Sequence, residues 1–300
     1  MLDVLCVGHA SFDITMTAAH HPGADEKMLA DALQAGGGGP AANAAVQVAR
    51  LDGDAGFCGY LGNDIFGCAH LDELIAEGVE TSLVTRGAHP TPLSQILAKP
   101  DGTRSVVNFK ADTPWLVGDV VDDSALQHLA PGAVLFDGHE PLLSATVCNW
   151  ARARGIPTVL DAGSLHRGTR ELAGEADYLV ASEKFARQWS GSEDIDSALA
   201  ALREVSSCVV VTCGEGGLYW SQGDASGSLA AFAVEAVDTT GAGDAFHGAF
   251  ALGLARGMDW QALLRFASAA GALACTRLGA RSALADSRTV NALLAGKLLT

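Results

Sequence analysis

Short runs of apolar residues recur along the chain, and stretches with helical spacing separate several of them. The apolar runs predict buried strands at Leu2–Gly8, Val134–Phe136, Thr158–Leu160, Tyr178–Val180 and Val209–Thr212. The stretches with apolar residues at helical spacing are Pro40–Leu51, Ser144–Arg154, Ser197–Val205 and Asp244–Arg256. Strands that alternate with helices are typical of a mainly parallel sheet with helices on both faces. The pattern therefore predicts an α/β fold.

Two stretches, Phe12–Ala35 and Leu93–Lys110, interrupt this alternation because they lack long helical patterns. In the second stretch two apolar runs, Ser94–Ala98 and Ser105–Phe109, flank a Pro-Asp-Gly sequence at positions 100–102. Pro-Asp-Gly between apolar runs is a hairpin signal. We interpret the two stretches as a small antiparallel sheet added to the main body.

Charge and cysteine usage narrow the class of protein. The 300-residue chain has a formal net charge of −16 and no visible basic stripe, so neither nucleic acid nor an anionic membrane surface is an expected partner. Its apolar stretches are too short to span a membrane. The seven cysteines are scattered and odd in number, which favours reduced thiols and a cytoplasmic location. No repeat or long linker divides the chain, so we expect one domain over residues 1–300.

The strongest chemical signal lies in residues 237–251. An apolar run ends at Val237, a loop of small residues follows, and a helix is predicted to begin near Gly243–Asp244. Free amides at a helix start favour a bound anion, and Gly241 and Gly243 let the backbone approach a phosphate closely. The Asp244 carboxylate would stand beside that anion and could accept a proton from an attacking hydroxyl. An ordinary helix N-cap explains an aspartate at this position equally well.

Two other glycine-rich segments could contact a ligand. Gly36–Gly39 precede a predicted helix that contains Asn43, and a buried strand over Val209–Thr212 leads into glycines up to Gly217. The first segment could instead be a flexible turn with Asn43 in solvent, and the second an ordinary strand-to-hairpin turn. The chain lacks Gly-x-x-x-x-Gly-Lys-Ser/Thr, so it is not a P-loop enzyme.

Two of these motifs together resemble the signatures of the ribokinase-like (PfkB) carbohydrate kinases. They are Gly-Gly-x-Pro-x-x-Asn at residues 37–43 and Asp-Thr-Thr-Gly-Ala-Gly-Asp at residues 238–244. The resemblance covers nearly the whole chain, including Gly59–Gly67. It implies a three-layer αβα sandwich with a mainly parallel sheet and a small β-sheet lid built from segments 12–37 and 92–111. It also implies phosphoryl transfer from ATP to a sugar, and a homodimer formed through the lid.

The same resemblance implies a role for individual residues. Asp244 would be the base that deprotonates the acceptor hydroxyl, and the backbone amides of Gly241, Ala242 and Gly243 would form the anion hole. The implied sugar contacts are Asp13, Gly38, Gly39 and Asn43.

Further residues are implied for the nucleotide and for a cation. The contacts to ATP would come from Ser182, Thr212, Gly214, Gly217 and, in an adenine pocket lined by Ala267–Thr276, Ala272. A monovalent cation such as K⁺ would be held by Asp238, Thr240, Gly279 and Ser282.

The chain departs from the family pattern where Mg²⁺ is usually bound. The family carries Asn-x-x-Glu before the ATP loop, whereas this chain has Ser182 in place of the Asn and Phe185 in place of the Glu. Glu183 is the nearest acid, and we expect it to act on Mg²⁺ through water.

Within the family, the glycine segment and the second signature look most like the branch that phosphorylates sulfofructose, a ketose with a terminal anion. Lys27 and Asn108 fall where that branch has polar contacts to its substrate. Position 138 is Gly, followed by His139, where that branch has a cation. Losing a cation removes a charge-assisted contact of roughly 1.5–3 kcal/mol. We therefore expect a sugar, with a ketose favoured over a sulfonated one, and include His139 among the substrate contacts.

Three alternatives are compatible with the sequence. A nucleoside kinase of the same family would share both signatures. A nicotinamide-dependent α/β oxidoreductase and a non-catalytic sugar sensor belong to other classes.

Overall fold

A computed structural model describes residues 1–99, 103–110, 121 and 123–297. The strands are β1 Val4–Gly8, β2 Ser11–Thr17, β3 Ala32–Gly38, β4 Ala55–Gly62, β5 Val84–Gly87, β6 Leu93–Ala98, β7 Arg104–Phe109, β8 Ala133–Phe136, β9 Thr158–Ala162, β10 Tyr178–Ser182, β11 Cys208–Thr212, β12 Leu218–Gln222 and β13 Ala225–Leu229. The helices are α1 Pro40–Arg50, α2 Ile65–Ala76, α3 Asp123–Leu129, α4 Pro141–Arg152, α5 Arg167–Leu172, α6 Glu183–Ser190, α7 Ile195–Arg203, α8 Ala242–Ala255, α9 Trp260–Ala274 and α10 Ser287–Leu294.

A nine-stranded sheet forms the centre of the molecule, in the order β13-β12-β11-β10-β9-β8-β1-β4-β5. From β5 to β11 neighbouring strands are parallel, and β12 and β13 add an antiparallel hairpin at one edge. All five strands predicted from apolar runs lie in this sheet. The predicted α/β fold with a mainly parallel sheet is confirmed.

Alternate residues of the central strands feed two separate cores. Val4 and Cys6 of β1 belong to one cluster, which is completed by α1, α8, α9 and α10. Leu5 and Val7 belong to the cluster on the other face, which α4 to α7 complete. Because side chains alternate along a strand, a strand that is apolar throughout must be covered on both faces. The result is the three-layer sandwich that the resemblance implied.

The four predicted helices are present, with starts shifted by two or three residues in three of them. Pro141 occupies the first turn of α4, and the Asp194 side chain caps α7 by accepting from the Ser197 amide. Proline and side-chain caps fix a helix start more sharply than apolar spacing does.

A second, four-stranded sheet has the order β3-β2-β6-β7 and is called the lid. The outer pairs are antiparallel as predicted, but β2 and β6 run parallel, so the expectation of a wholly antiparallel sheet was wrong. The reason is topological: β2 follows β1 and β6 follows β5, and these two main-sheet strands point in the same direction. Residues 100–102, which hold the predicted hairpin turn, and residue 111 lie outside the described residues.

The lid has two distinct faces. Asp13 pairs with Ser94, and Ser94 pairs with Asn108, so these three side chains form one row on what we call the inner face. Leu33, Val107 and Phe109 lie on the opposite, outer face, where their exposed fractions are 66%, 68% and 53%.

All seven cysteines are free thiols. Across the residues that the structure covers, none of the helices combines the length and the apolar character that crossing a membrane requires.

Candidate active site

Gly241 shapes the start of α8. It is the N-cap residue, its φ is +80°, and a Cβ atom there would lie 2.9 Å from backbone atoms of Ala280. Only glycine satisfies both conditions without strain. The amides of the first helical turn have no partner within the helix and stand at the positive end of its dipole. The predicted anion hole at Gly241, Ala242 and Gly243 therefore lies at the start of a helix.

Asp244 is inside the first turn, because α8 begins at Ala242 and Gly241 is the cap. The alternative that Asp244 caps this helix is therefore wrong. Its Oδ2 accepts a hydrogen bond from Asn43 Nδ2 at 2.7 Å. Burial raises the pKa of the Asp244 carboxyl to about 7, and the nearby Asp161 carboxylate adds to this increase. A carboxyl with a pKa near neutrality is suited to accept a proton at physiological pH.

His247 ties the first turn of α8 to the main sheet. Its Nδ1 lies 2.6 Å from the Gly243 carbonyl oxygen and 3.3 Å from Asp161 Oδ2, and its Nε2 lies 3.1 Å from the Val180 carbonyl oxygen. Asp161 is the last but one residue of β9, and Val180 lies in the middle of β10. The buried imidazole thus holds the helix start against β9 and β10 of the main sheet.

The predicted sugar contacts come together at the junction of β3 and α1. A Cβ atom at Gly38 would lie 2.1 Å from Asp13 Oδ2, and one at Gly39 would lie 2.6 Å from the His9 carbonyl oxygen. The Asp13 carboxylate, which accepts a hydrogen bond from Ser11 Oγ at 2.8 Å, therefore covers Gly38 directly. Burial raises the Asp13 pKa. Asn43 follows on α1 and connects this group to Asp244.

The lid residues predicted to bind substrate are placed differently from one another. Asn108 lies on the inner face in the same row as Asp13. Lys27 is exposed in the segment between β2 and β3, and no hydrogen bond or ion pair within the described part of the chain links it to the cleft.

Polar residues at the carboxyl end of β8 form another wall of the cleft. Asp137 accepts hydrogen bonds from the amides of His9 and His139 at 2.7 and 2.9 Å. The predicted contact His139 stacks on His166, with ring centroids 4.6 Å apart. Burial, with a smaller effect from His139, lowers the pKa of His9 to about 3. Imidazoles that are neutral can donate to or accept from sugar hydroxyls.

Glu140 faces the lid from this wall. It is buried, its pKa is raised by that burial, and Lys110 Nζ lies 3.0 Å from its Oε1. Asp137, Asp161 and Glu140 were not among the predicted site residues. A usable signal existed, because Asp137 and Asp161 each follow directly on a predicted parallel strand, and carboxyl ends of such strands meet at one edge.

The predicted nucleotide contacts lie at the carboxyl ends of β10 and β11, in the turn after β11 and on α9. Gly214 begins a short 3₁₀ turn after Thr212, and Gly217 has a φ of +82° with the Leu229 carbonyl oxygen 2.1 Å from a notional Cβ. Ser182 caps α6 by accepting from the Phe185 amide at 3.0 Å. Ala272 is half-buried on α9. Glycines and small side chains at these positions would let a nucleotide contact mainly the backbone of the protein.

The position expected to act on Mg²⁺ offers few ligands. Phe185 is fully buried, and Arg187 Nη2 lies 2.6 Å from Glu183 Oε1. Within residues 1–99, 103–110, 121 and 123–297, no group of three His, Cys, Asp or Glu side chains is arranged to hold a metal. A role of Glu183 on Mg²⁺ through water stays a prediction.

Three of the four residues predicted for a monovalent cation meet around one carboxylate. Asp238 accepts from the amides of Thr240 and Gly279 at 2.9 and 2.8 Å and from the Thr240 hydroxyl at 2.6 Å. Ser282 donates to the Gly279 carbonyl oxygen at 3.2 Å. Arg104 of the lid also reaches Asp238 at 3.2 Å. A cation at this position stays a prediction.

A small cavity of about 70 Å³ separates the inner face of the lid from these loops. Its lining includes Asp13, Ile96, Arg104, Asp238 and Arg281. The lid, the glycine segment and the loop before α8 therefore line one cavity. A helix start that can hold an anion, a carboxyl with a pKa near neutrality and a polar lid define a phosphotransferase for a small hydroxylated substrate.

Comparison with known proteins gives the family. The model of the pfkB family of carbohydrate kinases matches residues 1–287. A ribokinase of Bacillus subtilis is 30% identical over 98% of this chain and 100% of its own length, and a fructokinase of Solanum tuberosum is 31% identical over 88% of each chain. The structure of an Arabidopsis thaliana ribokinase complexed with ribose and ATP has a TM-score of 0.85 and 28% identity, covering 98% of each chain.

The chain therefore belongs to the PfkB family of carbohydrate kinases. It is an ATP-dependent sugar kinase, a phosphotransferase with an alcohol group as acceptor. The oxidoreductase alternative is not supported, since the match to the kinase family extends over residues 1–287.

Proposed function

We propose that this kinase transfers the γ-phosphoryl group of ATP to a primary hydroxyl of a small neutral sugar, a ketose in the first instance, with Asp244 as the base. The observation that carries this proposal is the position of the Asp244 carboxyl. It lies in the first turn of α8, beside the amides of Gly241 to Gly243, and Asn43 holds one of its oxygens at 2.7 Å.

The mechanism follows from this placement. The acceptor hydroxyl approaches the Asp244 carboxylate, which takes its proton as the oxygen attacks the γ-phosphorus in line with the leaving ADP oxygen. The backbone amides at the start of α8 receive the negative charge of the migrating group. Mg²⁺ would arrive with ATP and neutralise part of the phosphate charge. Lid closure over the sugar keeps water from competing as acceptor.

The sugar would lie between the lid and the wall at the end of β8. Asp13 and Asn108 would bind its hydroxyls from the inner face, and His139 would do so from the opposite wall. Because Glu140 balances the charge of Lys110 at 3.0 Å, this wall favours a neutral sugar over one with a terminal sulfonate. The relatives named as ribokinase and fructokinase agree with a pentose or ketohexose acceptor.

A direct test is ADP release by the purified protein with ATP, Mg²⁺ and a panel of ketoses, aldoses, phosphosugars and nucleosides. Turnover with a ketose supports the proposal, and preferred turnover with a nucleoside supports the nucleoside-kinase alternative. D244N should lower kcat by about 10²-fold or more while ATP binding remains, as expected for a positioned base. D196N, which changes an exposed acid in the first turn of α7, is the matched control. Wild-type turnover in D244N would remove Asp244 from the mechanism.

We further propose that the protein is a cytoplasmic homodimer formed through the outer face of the lid. Leu33, Val107 and Phe109 expose more than half of their surface on that face. Val107 and Phe109 lie on the edge strand β7 and Leu33 lies on β3 at the other edge. Exposed apolar groups that share one face of a sheet are typical of a protein interface. The free thiols agree with a reducing compartment.

A further inference from the structure

The guanidinium of Arg281 joins two helices around the base. Arg281 lies on the loop between α9 and α10, and its side chain is 10% exposed. Nη1 lies 2.9 Å from Glu73 Oε2 on α2, and Nη2 lies 3.2 Å from Asn43 Oδ1 on α1. Nη2 also lies 3.0 Å from His70 Nε2. Glu73 accepts the Gly37 amide at 2.7 Å as well, so the same ion pair holds the glycine segment.

These contacts decide which way the Asn43 amide points. An amide oxygen and nitrogen are hard to tell apart by shape, so their assignment rests on the hydrogen-bond partners. A guanidinium can only donate, and therefore the atom of Asn43 that faces Arg281 must be the oxygen. The NH₂ group then faces Asp244. The opposite orientation would set N–H against N–H at Arg281 and oxygen against oxygen at Asp244.

The orientation of Asn43 in turn fixes the carboxylate of the base. Asn43 donates to Asp244 Oδ2 at 2.7 Å, which favours the ionised form and leaves Oδ1 to face the acceptor hydroxyl. His70 must accept from Arg281 through Nε2, so its imidazole is neutral. Glu73 compensates the positive charge of Arg281, and the cluster therefore adds little net charge to the cleft.

We infer that Arg281 is a positioning residue that acts through Asn43 to set the orientation of the catalytic carboxylate. This inference rests on the proposed function, in which Asp244 is the base. In this scheme Arg281, which also lines the small cavity beneath the lid, acts on turnover through the base and not as a contact to ATP. Its effect on turnover is transmitted through one amide group.

Titratable groups surround both Arg281 and Asp244. The titratable groups that face Arg281 are Glu73, Glu77 and His70 from α2 and its end, together with Asp13 from β2. Those that face Asp244 are Asp161, Asp137 and His247. A lysine at position 281 keeps the positive charge but loses the planar fork, so R281K separates the loss of geometry from the loss of charge.

The decisive experiment is a double-mutant cycle between positions 281 and 43, measured as kcat with the accepted sugar. R281Q and R281K should each lower kcat by about 10-fold or more, on the scale of a small misplacement of a catalytic group. KM for ATP should stay near the wild-type value. In the N43A background, R281Q should cause little further loss of kcat, because the amide through which Arg281 acts on Asp244 is already absent. R154Q, which removes an exposed arginine in the turn between α4 and β9, is the control.

A second readout separates positioning from loss of fold. Without the hydrogen bond from Asn43, the pKa of Asp244 rises, so the acidic limb of the kcat profile should move to higher pH in R281Q. A variant that is only partly unfolded would have a lower kcat at every pH, and the midpoint of the acidic limb of its profile would not change. If R281Q does not fold, R281K supplies the same comparison.

The failures of the two proposals look different. A wild-type protein that releases no ADP with any member of the panel would end the proposed function. A wild-type protein that turns over, with R281Q and R281K at wild-type kcat and unshifted profiles, would overturn the role of Arg281. Equal losses from R281Q in the wild-type and N43A backgrounds would also overturn it, since Arg281 would then act independently of Asn43.

Discussion

Arg104 of the lid donates to Asp238 of the loop before α8, with Nη1 and Oδ1 3.2 Å apart. At the other end of the same strand, Lys110 follows β7 and pairs with Glu140 of the main body at 3.0 Å. One lid strand is thus attached to both walls of the cleft. Arg104 therefore contacts the same Asp238 carboxylate that accepts from the amides of Thr240 and Gly279. Because Thr240 directly precedes the predicted anion hole, Asp238 links lid closure to the geometry of that hole.

We expect R104Q to raise the KM for the sugar by about 2- to 5-fold, because a partly exposed ion pair contributes up to about 1 kcal/mol. The kcat should fall less. The wild-type KM should rise with added salt more steeply than that of R104Q, since screening weakens the pair that the variant lacks. R203Q, on the exposed side of α7, controls for the change in net charge. Equal salt dependence in both proteins would show that the pair does not hold the lid.

The pH dependence of turnover follows from the raised pKa of Asp244. The base is protonated below a pH of about 7 and ionised above it, so kcat should rise through neutrality and level off in the alkaline range. The pKa of Asp161 is also raised to about 7, mainly by burial, so the observed midpoint belongs to the two carboxyls together. A profile that is flat from pH 5.5 to pH 9 at constant ionic strength would contradict the buried base.

The raised pKa of Asp244 also predicts how the stability of the protein depends on pH. The Asp244 carboxyl has a higher pKa in the folded state than in the unfolded chain, so its protonation stabilises the folded state at low pH. This contribution is lost as the pH rises through about 7. D244N removes the buried charge. Its Tm should therefore exceed that of the wild type by more at pH 8 than at pH 5, and thermal unfolding at the two pH values checks this. The reverse order would mean that the carboxylate is well solvated.

The outer face of the lid gives a prediction for assembly. V107E places a charge beside Phe109 on the outer face of β7 and should convert the dimer to a monomer, because burying an unpaired carboxylate opposes association. Sedimentation velocity measures the change directly. V205E adds the same charge at an exposed apolar residue after α7 and should leave the assembly intact. A wild-type protein that sediments as a monomer at micromolar concentration would end the dimer proposal.

Local pattern located five of the nine strands of the main sheet, since strands buried on both faces are apolar throughout and leave a clear run such as Val209–Thr212. It was insufficient for the lid, where the direction of β6 relative to β2 depends on where β5 ends. The same distinction between local pattern and long-range contacts applies to the residues of the candidate site. Asp244 and Asn43 were found from motifs, whereas Arg281 lies 238 residues from the amide that it orients, and no spacing along the chain records that contact.

Phe185 shows why the missing glutamate of the family pattern cannot simply be restored. Its ring is fully buried, stacks on Trp189 at a centroid distance of 5.7 Å, and belongs to the core on the α4 to α7 side of the sheet. Position 185 therefore points into the core and away from the cleft.

F185E should lower the free energy of unfolding by about 3–5 kcal/mol, because it loses the buried ring and buries an unpaired carboxyl. It should not lower the concentration of Mg²⁺ needed for turnover. F185L, which keeps an apolar side chain, should cost about 1–2 kcal/mol. Urea unfolding of the three proteins, together with Mg²⁺ titrations of activity, makes the comparison. An F185E protein with wild-type stability and a reduced Mg²⁺ requirement would show that this side chain reaches the phosphates, and the metal site would then have to be redrawn around position 185.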